Sequence, residues 1–239
     1  MVMAFASLVS LATAQVAHSA SAEPMLAELI ARFAEHATAV DSLVVEFELQ
    51  YVPGGIRSEP SYPVEEWTWH RQGEKCLLAS RPVKYAAAKL PFRVWECYDG
   101  KQLSWINYVP PEMERPFQMF VNDDRSKMAV LIHMAYFEWI VGNRINMLRR
   151  PLYRELQEGQ SRLVGRTNVR GHDCFQIESG EFETLPPTLP HRFRVDLDPA
   201  ADYFPRRIEI HPVKWHEHGD WSKYEPGTHL KLEVIELQS

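Results

Sequence analysis

Hydrophobic residues recur along this chain with two periods, and the switch between them divides it into elements. Between Pro24 and Ala39, apolar positions Leu26, Leu29, Ile30, Phe33 and Ala37 recur at three- and four-residue spacing. That spacing predicts a helix with one apolar stripe, and Pro24 suits its first turn. From Leu43 the period falls to two. Leu43, Val45, Phe47, Leu49 and Tyr51 alternate with Val44, Glu46, Glu48 and Gln50. Side chains of a strand point alternately to its two faces, so this strand has one oily face and one mostly wet face. Pro53-Gly54-Gly55 ends it.

Two hairpins follow. The run 66–71, with Trp67 and Trp69 on one face, turns at Gln72-Gly73 into 75–80. The run 92–98 turns at Asp99-Gly100 into 102–108. Asp-Gly between alternating runs predicts a tight type I′ turn, which needs positive φ at both central positions. If 75–80 pairs antiparallel with 92–98, Cys76 can fall opposite Cys97.

The middle reads differently. Pro110, Pro111 and Pro116 mark a loop. From Asp124 to Val141 the helical period returns, with Asp123 or Asp124 able to cap the start. Met128, Leu131, Ile132, Ala135, Trp139 and Ile140 form a wide stripe, which Val130, Met134 and Phe137 extend almost all round. A helix apolar on most sides is buried on most sides. A second, more basic helix is expected up to Glu158, interrupted at Pro151.

The last third returns to strands. Residues 163–169 turn at Arg170-Gly171 into 172–178. Phe193, Val195 and Leu197, then Ile208 and Ile210, then Leu230, Leu232 and Val234 each alternate with polar neighbours. About ten strands joined largely by hairpins imply an antiparallel sheet with one packed face, and a sheet of that many strands twists and curls. The prediction is a mostly β, α+β fold: a curled antiparallel sheet forming an unclosed barrel, with helices packed in its concave face.

Composition narrows the setting. The chain has 239 residues, 45% of them hydrophobic, and a net charge of −6. Such a balance suits a globular protein. It speaks against nucleic acid as a partner, because phosphate binding needs a basic excess. The apolar run from Met1 to Ala14 passes into small residues. Ala12-Thr13-Ala14 and Ala20-Ser21-Ala22 are both A-x-A cleavage patterns. Residues 1–22 therefore read as an export signal and 23–239 as a single domain, periplasmic or secreted. The first run is too short to cross a bilayer and no later one is long enough, so an integral membrane protein is not expected. Three cysteines argue against a disulfide framework. A Cys76–Cys97 pair and three buried thiols both stay open.

Few residues carry obvious chemistry. His216 and His218, two apart, would share one face of a strand and could hold zinc with a third ligand such as His211, with His229 nearby. A His-rich polar loop is the plainer reading. No nucleophile elbow, phosphate loop or dinucleotide fingerprint occurs, and no cofactor is expected. Asp196 and Asp198 precede Pro199 and read as a solvated turn. The arginines of the last half alternate along strands and read as an outer face paired with carboxylates, although a docking surface for a phosphate-bearing head group is open. Trp67, Trp69, Trp95, Trp105, Met128, Leu131, Met134 and Trp139 lie on apolar faces, and methionine adapts to a variable greasy ligand.

Three segments carry a family resemblance. The first is a helix directly after a signal, followed by Asp41-Ser42-Leu43-Val44-Val45-Glu46-Phe47. The second is Tyr98-Asp99-Gly100-Lys101-Gln102-Leu103-Ser104-Trp105. The third runs from Leu163 through Gly171 to Phe175, then Phe193-Arg194-Val195-Asp196 and Tyr203 to Glu209. In this order they resemble the LolA-like family of periplasmic lipoprotein carriers. The resemblance implies a half-barrel with helices in its mouth and lipid chains held between them. The expected protein is a non-enzymatic binding protein for lipid acyl chains or lipoproteins, with a membrane-associated protein as a further partner. Its hydrophobic cavity would be walled by Val45, Phe47, Leu49, Trp67, Trp69, Met128, Leu131, Ile132 and Ala135. Two alternatives stand beside it: an interaction protein of the same fold with a filled core, and a zinc-dependent hydrolase.

Overall fold

A computed structural model describes residues 24–51, 64–81, 93–108, 117–122, 140, 151–181, 191–212 and 230–238. Helix α1 (Leu26–Ala39) leads into β1 (Ser42–Tyr51), β2 (Glu65–Gln72), β3 (Lys75–Ser80), β4 (Arg93–Tyr98), β5 (Leu103–Tyr108) and β6 (Phe117–Asn122). After the short helix α2 (Leu152–Glu158) come β7 (Arg162–Val169), β8 (His172–Glu178), β9 (His191–Asp198), β10 (Phe204–Pro212) and β11 (Leu230–Gln238). Every described pairing is antiparallel, and all eleven strands form one sheet in the order β6-β5-β4-β3-β2-β1-β11-β10-β9-β8-β7. The sheet does not close, so the expected fold class is the one observed. Among the described residues, two meanders, β1–β6 and β7–β11, share one strand pairing, that of β1 with β11.

The two-residue period explains the core. Leu43, Val45, Phe47 and Leu49 of β1 are buried, as are Val195 and Leu197 of β9 and Leu232 and Val234 of β11. The stripe of α1 (Leu29, Ile30, Phe33 and Ala37) and Leu152 and Leu156 of α2 join the same cluster. Phe33 and Tyr153 meet edge to face at 6.3 Å and tie the two helices together. Ile140 is helical and 2% exposed, within the same cluster. The rest of the middle helix expected over 124–141 lies outside the described residues.

Four details correct the sequence reading. At Asp99-Gly100 the hairpin forms, but through a four-residue connection: Tyr98 pairs with Leu103. The Asp99 carboxylate accepts from the Lys101 and Gln102 amides at 2.8 and 2.7 Å, and that Asx turn replaces the tight turn. The tight turn with positive φ at both centres is instead Arg170-Gly171, at +52° and +89°. Cys97 pairs with Leu77, and Cys76 with Tyr98. That one-residue offset points the two thiols to opposite faces, and all three cysteines are free. The same parity puts Trp95 on the face opposite Val94 and Tyr98, away from the core. Strand β6 was not expected, because Phe117, Met119, Phe120 and Val121 are apolar at both parities and give no alternation.

One corner of the sheet reaches back over its polar face. Arg170, at the β7–β8 turn, hydrogen-bonds Glu48 of β1 and Glu233 of β11 on the polar face. Four strand steps separate β8 from β1 in the sheet order, roughly 19 Å if the sheet were flat. The β7–β8 corner must therefore fold over the polar face, while the helices sit on the apolar one. Strong twist makes a sheet concave along opposite diagonals of its two faces, which accommodates both.

Candidate functional site

Of the nine expected cavity residues, five are described, and the structure brings them together. Val45, Phe47 and Leu49 of β1 pair with Trp69, Trp67 and Glu65 of β2. All five apolar side chains are between 0% and 2% exposed. Met128, Leu131, Ile132 and Ala135 lie outside the described residues. The described wall is thus one continuous apolar surface, and it is covered.

This surface also holds charges that sequence reasoning missed. Along β2, Glu65, Trp67, Trp69 and Arg71 share the buried face. Glu96 of β4 is 1% exposed, and Glu155 of α2 is buried too. Trp67 Nε1 donates to Glu65 Oε2 at 3.0 Å, and Arg71 Nε donates to the Gly73 carbonyl at 3.1 Å. Burial of a charge is costly unless partners satisfy it, so these groups are fixed in position. Parity alone could have found them: Glu65 and Arg71 fall in step with the two tryptophans, and Glu96 with Val94 and Tyr98.

The polar face carries a ladder of ion pairs across β8, β9 and β10. Arg194 binds Glu178 at 2.7 Å and Glu209 at 3.4 Å. Arg207 binds Asp196 at 2.6 Å, and Arg206 binds Asp198 at 2.8 Å. Asp196 and Asp198 were expected in a solvated turn, but they are 0% and 1% exposed. Burial raises the pKa of Asp196, against hydrogen bonds from Gln176 and Arg207. The bonds from Arg194 and Arg162 hold Glu178 below its ordinary value. Cys174, buried beneath this layer, has its thiol pushed up to about 12 by desolvation and by Asp198 and Asp196, so it is a poor nucleophile. Arg162, Arg170, Arg192, Arg194, Arg206 and Arg207 all have carboxylate partners. Arg166 instead lies over the Phe175 ring at 4.6 Å. The expected pairing of these arginines is met, which leaves them little capacity for a phosphate.

A polar cleft of about 570 Å³ opens beside α2, where Gly159, Gln160 and Arg162 face Glu178, Gly180 and Arg192. Gly180 donates to the Gly159 carbonyl at 2.6 Å, and a Cβ at Gly180 would collide with that oxygen. The cleft therefore depends on glycine for its closest approach. Its arginines are already paired with Glu178 and Glu181.

Among the described residues, no group of three His, Cys, Asp or Glu side chains could hold a metal ion. His211 lies beside Glu209, with Nε2 3.3 Å from Oε2. His216, His218 and His229 lie outside the described residues. Among the described residues, no helix is long and apolar enough to cross a membrane.

No protein-family model matches the chain, and no curated protein matches it. Solved structures are similar in architecture at low identity. The MucA/MucB complex of Pseudomonas aeruginosa is 12% identical, with a TM-score of 0.44, over 89% of this chain and 56% of that one. The chain thus spans little more than half the length of that protein. The lipoprotein LppX of Mycobacterium tuberculosis is 11% identical, with a TM-score of 0.47, over 87% of this chain and 94% of that one. A LolA superfamily protein of Nitrosomonas europaea is 9% identical, with a TM-score of 0.31, over 90% of this chain and 93% of that one. The chain's own architecture, an unclosed antiparallel sheet with helices on one face, is the one expected from the sequence.

Proposed function

We propose that this chain is a non-enzymatic, extracytoplasmic binding protein that carries or senses lipid acyl chains or lipoproteins on the apolar face of its sheet. The observation that carries the reading is a mismatch of size. Eleven strands span roughly 48 Å across the sheet. The two described helices are about 10 Å wide each, and α2 is only about 10 Å long. They are small beside the apolar face, on which Val45, Phe47, Leu49, Trp67 and Trp69 form one oily surface that an acyl chain could lie along. Each buried chain methylene would contribute about 0.8 kcal/mol.

Trp67 and Trp69 are 2% and 0% exposed, so an acyl chain that reaches them must displace their present neighbours. The expected outcome is saturable uptake of a fluorescent fatty acid with a change in tryptophan emission, and lipid in the mass spectrum of protein purified from its own host. Protein that arrives lipid-free and takes up no fatty acid would overturn the reading. The second reading is an interaction protein with a filled core. The near-zero exposure of Val45, Phe47, Leu49 and Trp69 favours it, and failure of both lipid measurements would select it.

A further inference from the structure

The two edges of the sheet are built differently. Strand β7 is guarded: it carries Arg162 and Arg166, and its ladder with β8 is broken by a bulge between Leu163 and Gly165. Charges and bulges on an edge strand prevent it from pairing with another chain. Strand β6, Phe-Gln-Met-Phe-Val-Asn, has no charge, no proline and no register shift against β5. Among the described residues nothing pairs with its outer side.

The face beside β6 is apolar where the rest of the polar face is ionic. Two cross-strand rows run to this edge. One is Leu77, Cys97, Ser104 and Val121; the other is Ala79, Trp95, Ile106 and Met119. Leu77, Met119 and Val121 are 37%, 55% and 47% exposed. Both rows stop at β6 with their last side chains in solvent.

We propose that β6 pairs antiparallel with β6 of a second copy of this chain, about a two-fold axis, so that the sheet continues from one molecule into the other. The strand matches itself. A register centred on residue 120 sets Met119 opposite Val121 of the second copy, and Val121 opposite its Met119. Each row then runs on into the other row of the second molecule. A chain of net charge −6 repels its copy, and an uncharged strand is where that repulsion is least. Joining two β7 edges would instead bring the arginines of both copies together. Main-chain hydrogen bonds along residues 118–122 would supply the affinity, and the two rows the register.

Light scattering and sedimentation of the full chain over a concentration series test this. The wild type is expected at twice the mass of one chain at high concentration. The double variant Met119→Lys/Val121→Lys is expected to be monomeric with an unchanged circular dichroism spectrum. Val164→Lys, at an exposed position of β7, is expected to leave the dimer intact. Amides 117–122 should exchange more slowly as the dimer forms. A wild type that stays monomeric, a dimer that survives the double variant, or one that Val164→Lys abolishes would each overturn the proposal. So would β6 amides protected equally at all concentrations, because a segment of the same chain would then cover the edge. None of these outcomes depends on lipid binding.

Discussion

His36 shows how one residue can set a pH dependence. It sits on α1 against the Phe204 ring at 5.9 Å, and its Nε2 is buried without a hydrogen-bond partner among the described residues. Desolvation lowers its pKa below the ordinary 6.5, with Asp202 pulling the other way. Below pH 6.5 the unfolded chain takes up a proton that the folded chain refuses. Stability is therefore fully present above pH 6.5 and declines as pH falls towards the lowered folded value. Thermal melts between pH 7.5 and 5 should show this decline, and His36→Gln should flatten it. An unchanged slope in the variant would refute the assignment. Arg32 lies over the Tyr203 ring at 5.5 Å on the same helix, so the Arg32 charge also faces the Asp198–Phe204 connection.

At the scale of elements, the β7–β8 hairpin is held at both levels of its chemistry. Asn168 Oδ1 accepts from the Gly171 amide at 2.9 Å and closes the turn. Arg170 occupies a left-handed conformation that asparagine adopts more readily than arginine. It is retained there with two carboxylates, Glu48 and Glu233, on strands far along the sheet. Arg170→Asn should ease the turn yet lose the clamp. Because the arginine is 36% exposed, screening limits the net loss to about 1 kcal/mol or less. The loss should shrink in high salt, and urea melts at two ionic strengths would check it. This clamp was not legible in the sequence, since periodicity assigns faces and not which distant strands share a corner. The same limit explains Cys76 and Cys97, where the strands were placed correctly and the pairing missed by one residue. What was legible was every element with a clean period: α1, β1 to β5, β7 and β8 match their expected ranges within two residues. For the candidate site, parity identified Val45, Phe47, Leu49, Trp67 and Trp69 as one buried surface. It could not say what covers them, because cover is a tertiary property.

For the whole molecule, the seam between β1 and β11 decides whether there is one fold or two halves. Residues 44–51 pair with 230–238 across a bulge at Glu46/Phe47, the one strand pairing among the described residues that joins the meanders, with the Arg170–Glu48 ion pair as a side-chain link beside it. Removing residues 230–239 would open the inner edges of β1 and β10 together. A chain truncated after residue 229 should lose its cooperative unfolding transition, and retention of a sharp wild-type-like melt would show that the halves stand alone. Such pairing between sequence-distant strands also predicts slow folding, on the order of milliseconds to seconds.

The same seam has a consequence during biosynthesis. The first strand to be made is the one completed last, because its neighbour emerges about 180 residues later, a delay of roughly 10–40 s at the usual pace of translation. Throughout that interval the newborn polypeptide holds half a finished structure with its central strand unzipped along one side. A molecule delivered across a membrane before folding would avoid exposing that side to the crowded cytosol, so late folding and export suit each other.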